Sequence, residues 1–223
     1  MRKDLTELVF IIDRSGSMRP QTASTIDGFN KLIEEQKKTP GEKIVSVVLF
    51  NGRSKEVCLR MPIEEISPLT EEEYFAHGST ALLDAVQTTI NHIGNMHIAG
   101  GEKDLPEHTI FFITTDGEEN SSRHTTVDSL KGSIAYNREK NGLEFVFLAA
   151  NLDAVSVAEN YGIERKNALR HYDDDRGVDL KFKAMNRYID NVVYKVEDDS
   201  WAEDVENDFS SRSGAVKDQN TSG

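Results

Sequence analysis

Continuous apolar runs alternate along this chain with segments whose apolar residues recur every three or four positions. The first run, Leu8-Val-Phe-Ile-Ile-Asp13, ends in a carboxylate and has the unbroken hydrophobicity of a central strand covered on both faces. Ile26, Phe29, Leu32 and Ile33 then repeat at helical spacing up to Pro40-Gly41, which stops the helix. Ile44-Val-Ser-Val-Val-Leu-Phe50 is a second buried strand, followed by the turn chemistry of Asn51-Gly52. Val57, Leu59, Met61 and Ile63 alternate with polar residues, the pattern of a hairpin partner at a sheet edge.

After a loop over about 67–79, Leu82, Leu83, Val86, Ile90 and Ile93 mark one face of a second helix. The stretch from His97 to Pro106, with Gly100-Gly101, reads as a loop, and Thr109-Ile-Phe-Phe-Ile-Thr114 as a third buried strand leading to Asp116. Next comes a helix capped by Thr125 with Asp128 three residues on, then the strand Phe145–Ala150. A short helix opens at Asp153 and closes at Gly162, and Ala168–Tyr172 forms a short edge strand. The last helix turns Leu180, Met185, Ile189, Val192 and Val193 toward the core.

Strands alternating with amphipathic helices predict parallel βαβ units joined by right-handed crossovers. The expected fold class is therefore α/β: a doubly wound, mostly parallel central sheet with one antiparallel edge strand and helices on both faces. The chain has 223 residues, enough for one sizeable core, and no internal repeat. We expect the folded domain over residues 1–197. Beyond Asp198 the periodicity is lost, and 198–223 reads as an acidic, flexible tail. From Glu197 onward there are eight acidic residues against two basic ones, Arg212 and Lys217.

Over the whole chain, 26 basic residues face 39 acidic ones, a net charge of −13. Nucleic acid and anionic lipid both want a basic face, so neither is an expected partner. The longest apolar runs are far too short to span a bilayer, and no basic segment followed by an apolar one opens the sequence. These features read as a cytoplasmic protein, a monomer or weak oligomer. The single cysteine, Cys58, excludes an internal disulfide and a cysteine-based zinc site.

In an open doubly wound sheet, ligands bind beyond the carboxyl ends of the strands, where strand order reverses. Two predicted strands carry aspartates there, Asp13 and Asp116. The first continues as Asp13-Arg-Ser15-Gly-Ser17. In a loop curling over a strand end, side chains at i, i+2 and i+4 can turn toward one point, and Gly16 lets the backbone bend. Carboxylate and hydroxyl oxygens without His or Cys suit Mg²⁺, Mn²⁺ or Ca²⁺ and disfavour zinc. An ion held by few negative charges stays electrophilic and seeks an outside carboxylate.

Asp13-Arg-Ser-Gly-Ser17, Gly78-Ser-Thr80-Ala-Leu82 and Thr115-Asp116-Gly117 together resemble the three parts of the metal-ion-dependent adhesion site of von Willebrand factor A (vWA) domains. They occur in the family's order: after the first strand, before a helix, and after a later central strand. The similarity runs from about Leu5 to Tyr194. Leu148-Ala-Ala-Asn-Leu-Asp153-Ala also resembles small stand-alone bacterial members of that family. The resemblance implies one Mg²⁺ with Ser15 and Ser17 as direct ligands and Asp13 binding directly or through water. Thr80 would ligate directly or through water according to conformational state, and Asp116 mostly through water. It also implies a protein partner whose Asp or Glu side chain completes the shell. All five positions match the family's pattern.

The leading expectation is therefore a non-enzymatic, metal-dependent protein–protein interaction module. The alternative is a Mg²⁺-dependent phosphotransfer enzyme of the haloacid-dehalogenase kind with Asp13 as nucleophile. That chemistry needs a second acid two residues on, where this chain has Ser15, and a serine cannot deliver a proton to a leaving alkoxide at neutral pH. Asp84, one helical turn after Thr80, reads as a structural hydrogen-bonding residue, and Glu118, Glu119 and Asn120 as a solvated loop. Asp173-Asp-Asp175 reads as solvated as well. In the acidic tail, Glu203, Asp204 and Glu206 are candidates for a weak internal ligand of the metal.

Overall fold

The computed structural model describes residues 1–116, 118–150, 153–196 and 198–220, and the side chains of all of these except 199 and 214–220. Gly117, Asn151, Leu152 and Glu197, which figured in the sequence motifs and the domain boundary, lie outside the described residues. The strands are β1 (Arg2–Asp13), β2 (Glu42–Phe50), β3 (Ser54–Pro62), β4 (Pro106–Thr115), β5 (Leu143–Ala150) and β6 (Ala168–His171). The helices are α1 (Thr22–Gln36), α2 (Leu82–Gly100), α3 (Val127–Asn141), α4 (Ala154–Asn160), α5 (Asp175–Tyr194) and α6 (Glu203–Asn220).

The strands form one sheet in the order β3-β2-β1-β4-β5-β6. Every neighbouring pair is parallel except β2–β3, which is antiparallel. This is the predicted class. The chain winds outward from β1 to β3, then returns to the other side of β1 with β4. Strand order thus reverses between β1 and β4, and Asp13 and Asp116 stand at the carboxyl ends of those two strands.

The unbroken apolar run of β1 is explained by its two covered faces. Leu8, Phe10 and Ile12 pack with α1 and α5 residues such as Phe29, Leu32, Phe182 and Met185. Val9 and Ile11 point the other way, into a second core with α2, α3 and α4. Phe10 stacks on Phe112 at 5.5 Å and meets Phe29 edge-on at 5.4 Å. Burial of each such side chain contributes about 2–3 kcal/mol, so β1 is anchored from both sides.

Local differences from the sequence reading have local causes. Helix α2 continues through His97, because nothing before Gly100-Gly101 breaks it; Gly101, at φ +68°, ends it. The cap of α3 is Thr126, in a reciprocal box with Ser129, instead of Thr125 with Asp128. Strand β3 is kinked at Arg60, which has φ +47°, and Ile63 leaves the strand to be buried at the start of a 3-10 turn after Pro62.

The largest correction concerns the segment from Asp198. In place of an unstructured tail, a 3-10 turn (Asp199–Ala202) leads into α6. Trp201, Ala202 and Val205 are buried in the α1–α5 core, and Phe209 stacks on Tyr172 at 4.7 Å beyond β6. Trp201, Val205 and Phe209 recur every four residues, a helical spacing hidden among many acidic and small side chains. Among the described residues, no helix is long and apolar enough to cross a membrane.

Candidate functional site

Four of the five predicted residues are joined by direct contacts. Asp13 Oδ1 accepts the Ser15 backbone N–H at 2.7 Å, and Asp13 Oδ2 accepts the Thr115 hydroxyl at 2.6 Å. The Ser15 and Ser17 hydroxyl oxygens are 3.1 Å apart, and Ser17 Oγ donates to Asp116 Oδ1 at 2.7 Å. Asp13 and Ser15 are buried, whereas Ser17 is exposed, so the cluster opens to solvent on the Ser17 side.

Thr80 arrives from a separate loop. Gly16 N–H donates to the Gly78 carbonyl at 3.0 Å, and His77 N–H donates to the Arg14 carbonyl at 2.9 Å. These bonds latch the Thr80 loop to the Asp13–Ser17 loop. A Cβ on Gly16 would meet Gly78 O at 3.3 Å, and Gly78 itself has φ +82°; the close approach and the positive φ explain both glycines. Thr80 is buried beside the cluster, but its hydroxyl makes no hydrogen bond to the other four residues among the described residues.

Residues outside the predicted five hold this arrangement. Tyr74, fully buried, donates its hydroxyl to the Asp13 carbonyl at 2.6 Å. Asn120 Oδ1 accepts the Thr80 N–H at 2.9 Å. Glu119 is not a solvated side chain: it accepts N–H bonds from Ser121, Ser122 and Leu83 and the Ser122 hydroxyl. The Leu83 bond serves one of the unpaired donors at the start of α2. Asp84 has the structural role expected of it, accepting the N–H groups of Arg123, His124 and Thr125. Asp174, read as solvated, caps α5 through the Gly177 N–H at 2.8 Å.

The electrostatics of the cluster are those of carboxylates short of a cation. Burial lifts the Asp13 carboxyl to about 6, with the Thr115 and Ser15 hydrogen bonds opposing it only in part. Burial also raises Asp116, against the bond from Ser17. The cation acting on both is Lys181 of α5, itself buried, whose amine is brought down to about 8 by desolvation while Asp116 and Asp13 pull it back up.

The donor set fits a hard divalent ion: two desolvated carboxylates and converging hydroxyls, with no imidazole or thiolate in the contacts. Among the described residues, no three His, Cys, Asp or Glu side chains converge as a metal group, so any ion here depends on the hydroxyls. Among the described residues, Glu203, Asp204 and Glu206 make no contact with the cluster. Trp201, just before α6, bonds the Lys166 carbonyl ahead of β6, at the opposite edge of the sheet, and Asp204 pairs with Arg187. The expectation of an internal ligand from Glu203, Asp204 or Glu206 is corrected accordingly.

No protein-family model and no curated protein matches the chain. Solved structures do. Proximal thread matrix protein 1 from the mussel byssus, in the form with a zinc-occupied MIDAS motif, superposes with TM-score 0.59 at 14% identity, covering 84% of this chain and 46% of that one. The von Willebrand factor type A structure from Catenulispora acidiphila gives 0.56 at 15% identity, covering 83% and 42%. The vWF domain of the type V pili tip protein Mfa5 from Porphyromonas gingivalis gives 0.59 at 9% identity, covering 86% and 97%. The chain thus spans less than half the length of the first two. Strand order, switch point and these superpositions together give the chain the vWA fold.

Proposed function

We propose that the protein is a non-enzymatic protein–protein interaction module working through one Mg²⁺ held by Asp13, Ser15, Ser17, Thr80 and Asp116. The bound ion supplies an open coordination position for an Asp or Glu side chain of a partner. The observation that carries this reading is the contact chain Asp13–Ser15–Ser17–Asp116 at the switch point, an oxygen-only cluster around two desolvated carboxylates. Mn²⁺ or Ca²⁺ could substitute, since each takes the same oxygen donors.

The surroundings favour an acidic partner. Arg19 lies two residues past Ser17, Arg53 follows Gly52 beside Ser79, and Arg123 follows the Asp116 loop. All three are exposed, and among the described residues none pairs with a carboxylate, although the chain carries an excess of 13 acidic residues. Phe75, 61% exposed and beside His77 at 5.2 Å between ring centroids, offers an aromatic contact on the same rim.

Calorimetric titration with Mn²⁺ tests the reading. The wild type should bind one ion, and the Asp13→Ala, Asp116→Ala double variant none. In the loaded protein, acetate should displace metal-bound water, visible as a fall in water-proton relaxation. Unchanged Mn²⁺ binding in the double variant would sink the assignment.

A further inference from the structure

Lys181 is the anomaly of this molecule. It is 1% exposed, and among the described residues its ammonium has no hydrogen bond or ion pair; the Phe182 ring lies 5.0 Å away. A buried ammonium without a partner is costly, and a methionine or leucine would fill the same space without that cost. Its location indicates what the charge is for. Helical side chains lean toward the helix N-terminus, and α5 starts just after β6 ends, at the sheet edge that carries Asp13 and Asp116. From the second turn of α5, Lys181 reaches up beneath that edge. Its charge acts most strongly on Asp116 and next on Asp13.

Apart from Asp13 and Asp116, the nearby groups do little to offset it: Asp173, whose charge also acts on Asp116, is exposed and screened by solvent. His171, buried at the end of β6, is held neutral by burial and by Lys181 itself, and its Nε2 has no partner among the described residues. Asp174 is committed to the Gly177 N–H and to Arg212. The backbone locks α5 in place: a Cβ on Gly177 would sit 2.1 Å from the Tyr172 carbonyl oxygen. Lys181 therefore cannot be carried away from the strand ends without undocking the start of α5.

We propose that Lys181 is a built-in counter-ion that weakens cation binding while no partner is present and leaves the loaded site with a net positive charge. The inference rests on the metal reading above. Asp13 and Asp116 balance a divalent ion, and Lys181 adds one positive charge; an incoming carboxylate cancels it. Firm retention of the cation is thereby coupled to capture of an acidic side chain. Within a low-dielectric interior such a charge acts strongly over several ångströms.

The test compares the wild-type chain with Lys181→Met and Lys181→Gln, which remove the charge and keep most of the stem. Circular dichroism checks that each variant is folded. Mn²⁺ titration without added anion should show binding at least about tenfold tighter in both variants. In the loaded proteins, acetate should displace bound water at severalfold lower concentration in the wild type than in either variant. Equal Mn²⁺ affinities for all three would overturn the inference. So would a gain in Lys181→Met alone, which would trace the effect to packing. If neither the wild type nor the variants bind Mn²⁺, the proposed function itself fails and this inference with it.

Discussion

Ser17 Oγ donates to Asp116 Oδ1 at 2.7 Å although 99 positions separate the two residues in the chain. This bond closes the two halves of the doubly wound sheet over their switch point. It also fixes what the exposed hydroxyl contributes. Ser17→Ala should leave the fold nearly as stable, within about 1 kcal/mol, because an exposed hydroxyl has little desolvation at stake. Mn²⁺ affinity should fall by at least tenfold. Titration calorimetry beside a urea melt separates the two quantities, and undiminished binding would remove Ser17 from the ligand set.

Acidity gives a signed prediction. Asp13 titrates near 6 in the folded, metal-free protein and near 4 when unfolded. Between those values the native state binds the extra proton. The contribution of Asp13 to the stability of the metal-free protein is therefore fully present below about pH 4 and is lost as pH rises through 6, by on the order of 2–3 kcal/mol. A cation needs the carboxylate, so the stabilisation added by Mg²⁺ should grow over the same window and level off above it. Melting temperatures in EDTA and in Mg²⁺ across pH 4–8 check both trends. An Asp13→Asn protein with the wild-type slope in EDTA would assign the effect elsewhere.

The clamp residues should matter without touching the ion. Glu119→Ala removes the acceptor for three backbone N–H groups and one hydroxyl, and should cost about 2–3 kcal/mol. Asn120→Ala, which frees the Thr80 N–H, should cost about 1 kcal/mol and weaken Mn²⁺ binding severalfold. Wild-type affinity in both variants would mean that the Thr80 loop is held by other contacts.

Trp201→Ala should destabilise the whole domain by about 3–5 kcal/mol, the usual cost of emptying a buried aromatic site. Removal of residues 198–223 should cost at least as much. Equilibrium urea unfolding reads both. A change under 1 kcal/mol would restore the reading of this segment as a dispensable acidic tail.

With Ser15 where a phosphatase would need its acid, Mg²⁺-loaded protein should not hydrolyse p-nitrophenyl phosphate above background. Turnover that vanishes in Asp13→Asn would promote the phosphotransfer reading over the binding module.

Much of this was legible in the chain because single-residue chemistry and local periodicity coincided. The β1, β2, β4 and β5 runs are hydrophobic on both faces, short and rich in β-branched and aromatic residues, the pattern of strands covered on both sides, and the aspartates ending β1 and following β4 mark one edge. What escaped was decided at long range. The bonds of Tyr74 to the Asp13 carbonyl and of Asn120 to Thr80 join loops 61 and 40 residues apart, and no local pattern encodes them. Lys181 sits on the inward stripe of α5 among Val178, Phe182 and Met185, a position at which hydrophobic periodicity predicts an apolar residue. Helix α6 was masked by its acidic surface, since only Trp201, Val205 and Phe209 carry the repeat.

Trp201 is the single tryptophan of the sequence. It is 4% exposed, packs edge-on against Tyr188 at 5.2 Å, and donates its indole N–H to the Lys166 carbonyl at 3.3 Å. Its place is the sheet edge opposite Asp13 and Asp116. Excited at the red edge of aromatic absorption, where the tyrosines do not absorb, this indole reports a single event: its emission should shift to the red when α6 undocks and should stay unchanged when ions or carboxylates load the far edge. Fluorescence and calorimetry on one sample therefore read two ends of the same domain independently.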